Sequence, residues 1–276
     1  MGADVIVDGH VHISATDYGN VDVLLNQLDQ AGIDRAVGVP GGMIDVRQFS
    51  RILNGRLRPN PNIPNHLVYE AIQQHGDRLD GLVCINPRQG AATLATMQEG
   101  FAHGCRGVKL APLVHGFSFE DPILGEVAAA CGERGFPIYS HVVPTPGATT
   151  ADYGALARRW PNTHFILGHM GFGPGDADAI DLAAELANLY LETSLGNWLI
   201  LRDALACLGP SKLIFGSEFP LGHPKAEMEN VRLLDRASHE SILGRNMLRL
   251  LGYGPFPPQA PRCPESQPVA TTEIPG

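Results

Sequence analysis

Val5-Ile6-Val7-Asp8-Gly9-His10-Val11-His12-Ile13 reads as a buried strand, because apolar β-branched residues run up to a glycine and the polar groups arrive only towards its end. Side chains alternate faces along a strand, so His10 and His12 point the same way. Two imidazoles on one face can hold a divalent metal as neutral nitrogen ligands, with positions left for other groups and a water. They can equally be two hydrogen-bonded histidines at a strand end. What decides between these readings is whether further ligands arrive at the ends of other strands.

Outward from this stretch the pattern alternates. Residues 20–31 place Val21, Leu24, Leu25 and Leu28 at helical spacing and stop at Gly32. Residues 35–39 form the second strand, followed by 43–64, which lack clean periodicity and carry Arg47, Arg51, Arg56 and Arg58. Helices are then expected over 65–74, 91–103, 122–134, 151–160, 177–187 and 198–208. Strands are expected over 79–85, 105–110, 136–141, 163–169, 189–194 and 212–218. Two more helices, 224–236 and 239–251, complete the pattern.

Eight strands each followed by a helix predict an α/β fold, a single-domain (β/α)8 TIM barrel over residues 1–253 with parallel strands. A doubly wound sheet would need a phosphate loop, and none is obvious: residues 171–175 contain glycines, but Pro174 breaks the dinucleotide fingerprint. Residues 254–276 read as a Pro-rich C-terminal tail.

Composition narrows the partners. With 276 residues and 44% apolar content the chain can bury a large core. A formal charge of −9 and the lack of a Lys/Arg-rich run argue against nucleic acid or an anionic membrane, leaving a small-molecule substrate. Homo-oligomerisation stays open. The 5 cysteines contain no CxxC pair and fit free thiols in a reducing compartment, and no apolar run approaches membrane-spanning length. A soluble, cytoplasmic protein is expected.

A barrel builds its active site at the carboxyl ends of its strands. Those ends carry His10 and His12 on the first strand, Lys109 on the fourth, His141 on the fifth, His169 on the sixth, Glu192 on the seventh and Glu218 on the eighth. Four of the 11 histidines therefore fall where one rim would gather them, which favours a metal site over unrelated strand-end histidines.

These residues, in this order, resemble the amidohydrolase superfamily, in its branch of amidohydrolase-related, metal-dependent hydrolases of the TIM-barrel fold. The resemblance rests on Asp8-Gly9-His10-Val11-His12, Gly107-Val108-Lys109-Leu110, Ser140-His141, Leu167-Gly168-His169-Met170-Gly171, Phe215-Gly216-Ser217-Glu218-Phe219-Pro220 and Ile242-Leu243-Gly244-Arg245-Asn246. It implies that His10, His12 and His141 are metal ligands and that His169 polarises substrate or water, or binds a second metal. The family's last strand usually ends in Asp, which touches the metal and shuttles a proton. Here Glu218 stands there, longer by one methylene, either as a ligand or as a base alone. Glu192 likewise stands where the family often has Asp.

The implied cofactor is one divalent ion, Zn²⁺ first among N/O-ligated metals. The implied reaction is hydrolysis of a cyclic ester (lactone) or amide in a small, carboxylated substrate by a metal-activated water. Non-oxidative decarboxylation, known in the same branch, is the alternative, and a catalytically inactive metal-binding barrel is a second. Lys109 could be carbamylated, could bind a substrate carboxylate, or could extend past the rim. Arg47 and Arg51, on the long loop after strand two, and His115, beyond strand four, are the other candidates for substrate binding.

Overall fold

The computed structural model describes residues 5–254 apart from Pro174, and the expected C-terminal tail lies, beyond Gly254, outside the described residues. Among the described residues there are nine strand segments: β1 (Val7–Ile13), β2 (Arg35–Pro40), β3 (Leu79–Gly81), β4 (Val83–Ile85), β5 (Val108–Leu110), β6 (Ile138–Ser140), β7 (Phe165–Leu167), β8 (Leu189–Glu192) and β9 (Leu213–Ile214). Every pair is parallel, in the order β1-β2-β3 and β4-β5-β6-β7-β8-β9. The single strand expected over 79–85 is interrupted at Leu82, whose N–H donates to the Gly38 carbonyl at 3.0 Å, so β3 and β4 act as one strand with a break.

The ring's other seam is bridged by the chain after β9. The N–H of Gly9 donates to Phe215 O at 2.8 Å, that of Glu218 to His10 O at 3.0 Å and that of His12 to Phe219 O at 2.7 Å. Gly9 is required here, because a Cβ at this position would lie 2.8 Å from the Phe215 carbonyl oxygen. The eighth strand is regular over a shorter stretch than the expected 212–218, since residues 215–219 leave β8 and turn to β1 and to the Asp8 carboxylate, which accepts from Ser217 N at 2.9 Å. The result is an eight-stranded parallel (β/α)8 barrel.

The helices are α1 (Val21–Ala31), α2 (Phe49–Leu53), α3 (Asn65–Gln74), α4 (Ala91–Ala102), α5 (Pro112–His115), α6 (Ile123–Arg134), α7 (Thr150–Arg159), α8 (Ala177–Glu185), α9 (Trp198–Leu208), α10 (Pro224–Arg232) and α11 (Asn246–Leu250). α1 shows why the periodicity was sufficient to find them. Asn20 accepts from Val23 N at 3.0 Å as its cap, Leu24 and Leu28 are buried, and Gly32 ends it at φ 70°. α2 falls in the segment without clean periodicity. No helix among the described residues is long and apolar enough to cross a membrane.

The core has two main parts, besides a small cluster of Met43, Cys84 and Ala111. A large apolar layer lies between strands and helices, and a smaller cluster gathers Val7, Val37, Leu82, Tyr139, Ile166 and Ile214 with Met247, Leu250 and Leu251. These inner residues come one after another from successive strands, so α11 seats against the floor of the barrel interior. Val7 belongs to this inner cluster and Val11 to the outer layer, although strict alternation would put both on one face. A register shift between Asp8 and Val11 accounts for the change of parity, as a bulge does. It lets Val7 fill the interior floor while His10 and His12 rise above it.

Candidate metal centre and active site

All seven strand-end residues lie at the carboxyl ends of the barrel strands. His10 and His12 are on β1, Lys109 on β5 and Glu192 at the end of β8, while His141, His169 and Glu218 follow β6, β7 and β9. His169 has φ 61° and Glu218 φ 56°, a left-handed backbone that costs a side-chain-bearing residue about 1–3 kcal/mol. Two strained residues at the centre of one site indicate a position held by the surrounding structure.

Glu218 is the meeting point. Its Oε2 lies 2.8 Å from His10 Nδ1 and 3.9 Å from His169 Nε2, and its Oε1 lies 3.3 Å from His12 Nε2. Ligand atoms of His10, His169 and Glu218 all fall within 4.8 Å of one another. His12 Nδ1 contacts the Pro40 carbonyl at 3.3 Å and must carry the proton there, because a carbonyl only accepts. Its Nε2 therefore presents a lone pair to the Glu218 carboxylate.

The same logic fixes His169. Ser194 Oγ donates to Glu192 Oε2 at 2.8 Å, so at its 2.8 Å contact with His169 Nδ1 it accepts, leaving His169 Nε2 unprotonated. Two imidazole lone pairs thus face a carboxylate. Glu218 Oε2 is itself buried with no aligned hydrogen bond. The lone pairs of His12 and His169 repel the carboxylate, a repulsion that the His10 Nδ1 proton beside Oε2 offsets in part and that a cation among them would remove. The donor set, nitrogen with one carboxylate, fits a divalent ion such as Zn²⁺.

Glu192 holds this arrangement from below. It is fully buried and its Oε2 accepts from Tyr139 Oη at 2.7 Å, from Ser194 Oγ at 2.8 Å and from His169 N at 3.2 Å, while Oε1 accepts from Ser194 N. Burial by itself would raise its pKa, but His10, His169 and these donors hold it down to about 2. Tyr139 spends its proton on Glu192, so its oxygen accepts from His10 Nδ1 at 2.7 Å. One carboxylate therefore orients two histidines, His10 through Tyr139 and His169 through Ser194.

The electrostatics keep most of the imidazoles neutral. Burial lowers His12, His141 and His169, the last to about 4, while His10 is raised because Glu218 and Glu192 together outweigh its burial. Lys109 is buried with Nζ 3.3 Å from His10 Nε2 and 4.0 Å from the centre of the Tyr139 ring, and burial brings its pKa down to about 8. His141 is turned differently. Its Nε2 accepts the Leu113 N–H at 3.2 Å, which leaves its proton on Nδ1.

A cavity of about 360 Å³ opens from this cluster, lined by His12, Lys109, His141, His169 and Glu218 at one part and by apolar residues elsewhere. Arg47 and Arg51 do not line it. Arg47 is exposed, pairs with Asp45 at 3.1 Å and stacks over Tyr18, and Arg51 donates to Gln48 at 3.2 Å. The loop after β2 instead offers Met43, Ile44, Val46, Phe49 and Leu53. His115 is buried on α5 and does not line the cavity either, although its neighbours Leu113 and Val114 do.

A family model described as amidohydrolase matches residues 7–253. The chain belongs to the amidohydrolase family. Among solved structures, an uncharacterised TIM-barrel protein from Bordetella bronchiseptica superposes with a TM-score of 0.72 at 18% identity, covering 90% of this chain and 98% of that one. A probable 2-pyrone-4,6-dicarboxylic acid hydrolase from Acinetobacter baumannii gives 0.66 at 18% identity, covering 90% and 99%. The 2,6-dihydroxybenzoate decarboxylase from Rhizobium gives 0.68 at 17% identity, covering 90% and 99%. These likenesses are ones of fold. No curated protein matches the chain.

Within this site, sequence reasoning missed Tyr139 and Ser194. Tyr139 had a usable signal, because it lies two residues before His141 and so shares its face of the strand. Ser194 had none, since its role depends on the turn that brings His169 over β8.

Proposed function

We propose that this amidohydrolase is a metal-dependent hydrolase that opens a cyclic ester or amide in a small carboxylated molecule. The observation that carries the reading is the convergence of imidazole lone pairs on the Glu218 carboxylate. A bound Zn²⁺ would supply a Lewis acid and make water available as a nucleophile near neutral pH. Glu218, held ionised by His10, His12 and His169 against the opposing effect of burial, accepts the proton of the attacking water and returns it to the leaving group. His141, neutral with its proton on Nδ1, is a donor for the oxyanion. Lys109 anchors a carboxylate.

Resemblance assigns the ligand role to His141 and the polarising role to His169, whereas the distances favour the reverse. His169 is grouped with His10 and Glu218, while His141 Nε2 is engaged by a backbone N–H. His169→Asn is expected to weaken zinc binding about ten- to a hundredfold, and His141→Asn to leave it within a factor of about three while lowering turnover. Chelator competition against each purified variant reads the difference. Equal losses in both would return the ligand role to His141.

Lys109 also makes a stability prediction. Its folded pKa of about 8 lies below the unfolded value of 10.5, so between these pH values the unfolded chain binds more protons and stability rises with pH. Below pH 8 the full cost of the buried ammonium is present, about 3 kcal/mol. Lys109→Met should therefore raise the melting temperature of the metal-free protein at pH 7, with the gain fading from pH 8 towards 10.5, and should weaken binding of carboxylates. An unchanged difference across that range would show that the amine is not desolvated.

Decarboxylation is the second reading, favoured by the apolar cavity wall, which would strip water from a substrate carboxylate. Turnover of a panel of lactones, cyclic amides and aromatic acids in ¹⁸O-water separates the two. Label in a ring-opened acid supports hydrolysis; carbon dioxide release with the ring intact overturns it.

A further inference from the structure

The shape and charge of the cavity say more about the substrate than the reacting groups do. Among the described lining residues only Lys109 and Glu218 carry fixed charge, and both belong to the histidine cluster. The rest of the wall is mostly hydrocarbon, with Ile44, Phe49 and Leu53 from the loop after β2 and Val143, Phe172 and Leu195 from the loops after β6, β7 and β8; Ser14 and Tyr18 also line it, but their hydroxyls are engaged, Ser14 with Thr16 and the Gly19 carbonyl and Tyr18 as a donor to Asp45. Leu53, Phe172 and Leu195 are 56%, 46% and 42% exposed, so the wall presents unfilled apolar surface rather than packed core. The guanidinium groups nearest in sequence are committed elsewhere, Arg47 to Asp45 and Tyr18, Arg51 to Gln48.

An anionic group can therefore be matched at one place only, beside Lys109 and the metal-binding cluster. A second carboxylate further out would shed its water against Ile44, Phe49 and Leu53 with no cation or donor in return, which is strongly unfavourable. An aromatic or branched hydrocarbon group in that position gains about a tenfold in affinity for every two buried methylenes or so.

We propose that the cavity selects a molecule whose acid, ester or amide groups all lie at one end, beside Lys109 and the histidine cluster, with a bulky apolar remainder, that it rejects a carboxylate at the far end, and that Phe49 and Leu53 are the specificity-determining residues. The inference rests on the reading of the histidine and Glu218 cluster as the reacting end. It separates this chain from the solved relative described as a pyrone dicarboxylic acid hydrolase.

The test is calorimetric binding of benzoate, 4-tert-butylbenzoate and isophthalate to the full chain, with and without zinc. Expected are a gain of about tenfold or more for 4-tert-butylbenzoate over benzoate and a loss of similar size for isophthalate. Leu53→Ser and Phe49→Ala should each cut the tert-butyl gain severalfold, read as the ratio of the two affinities within the same variant. Isophthalate binding as tightly as benzoate, or a tert-butyl gain unaltered in both variants, would overturn the inference. Because binding is read and not turnover, carbon dioxide release in the labelled-water experiment would remove the hydrolase and leave this selectivity standing.

Discussion

Glu218→Gln should lower kcat by about a thousandfold with the fold intact, because the amide can neither take a proton from water nor neutralise a cation. The geometry explains the size of the effect. A single carboxylate reaches His10 at 2.8 Å and His12 at 3.3 Å through its two oxygens, and His169 at 3.9 Å, so no neighbouring acid duplicates its position. Glu192 cannot substitute, since both of its oxygens are filled by donors from Tyr139, Ser194 and the backbone. Glu218→Asp is the finer test. Shortening the arm by one methylene withdraws the oxygens by roughly a bond length, and catalytic geometry tolerates little displacement. Zinc affinity should fall about ten- to a hundredfold, although Asp is what the wider family usually has there. Wild-type kcat and zinc affinity in Glu218→Asp would mean that the backbone at φ 56° adjusts and that the length of this acid is incidental.

Glu192→Gln should be the most destabilising of the site substitutions, by about 3–5 kcal/mol, because it leaves buried donors facing a group that has only one acceptor oxygen. Four donors converge on the carboxylate, two hydroxyls and two backbone N–H groups. An amide nitrogen placed in either oxygen position confronts at least one of them. The functional consequence follows through Tyr139 and Ser194, which lose the acceptor that orients them and with it their own hold on His10 and His169. Thermal melting with zinc and with chelator separates the effects: a reduced apo melting temperature together with a smaller zinc-induced rise is expected. Tyr139→Phe isolates the His10 branch and should reduce the zinc-induced rise with a smaller change in the apo protein. A normal zinc response in both variants would make Glu192 a structural acid only.

Much of this architecture was legible in the chain because local rules and the fold agree. The helix over Val21–Ala31 carries its cap, its buried stripe and its terminal glycine in the sequence, and the strand-end residues His10, His12, Lys109, His141, His169 and Glu218 do border one site. What escaped depends on longer-range geometry. The bulge between Asp8 and Val11 changes which residues share a face, a feature no alternation rule contains. The break at Leu82 falls where the strand passes from pairing with β2 to pairing with β5. Arg47 and Arg51 look the same in sequence whether they cover a pocket or, as here, pair with Asp45 and Gln48 on the outside. The apolar residues among 43–53 lacked periodicity because a cavity wall, unlike a helix face, imposes no repeat. Glu192 was visible as an acid at a strand end, but its work as the anchor of two histidines required Tyr139 and Ser194 to be seen beside it.

The central claim is that the lone pairs gathered around Glu218 are there for a cation, and anomalous diffraction at the zinc edge from crystals of the zinc-loaded protein tests it most directly. The account predicts one strong peak about 2.0–2.2 Å from a Glu218 oxygen and from Nε2 of His12 and His169. A protein that takes up no zinc, or a peak bound elsewhere with this cluster left empty, would contradict it.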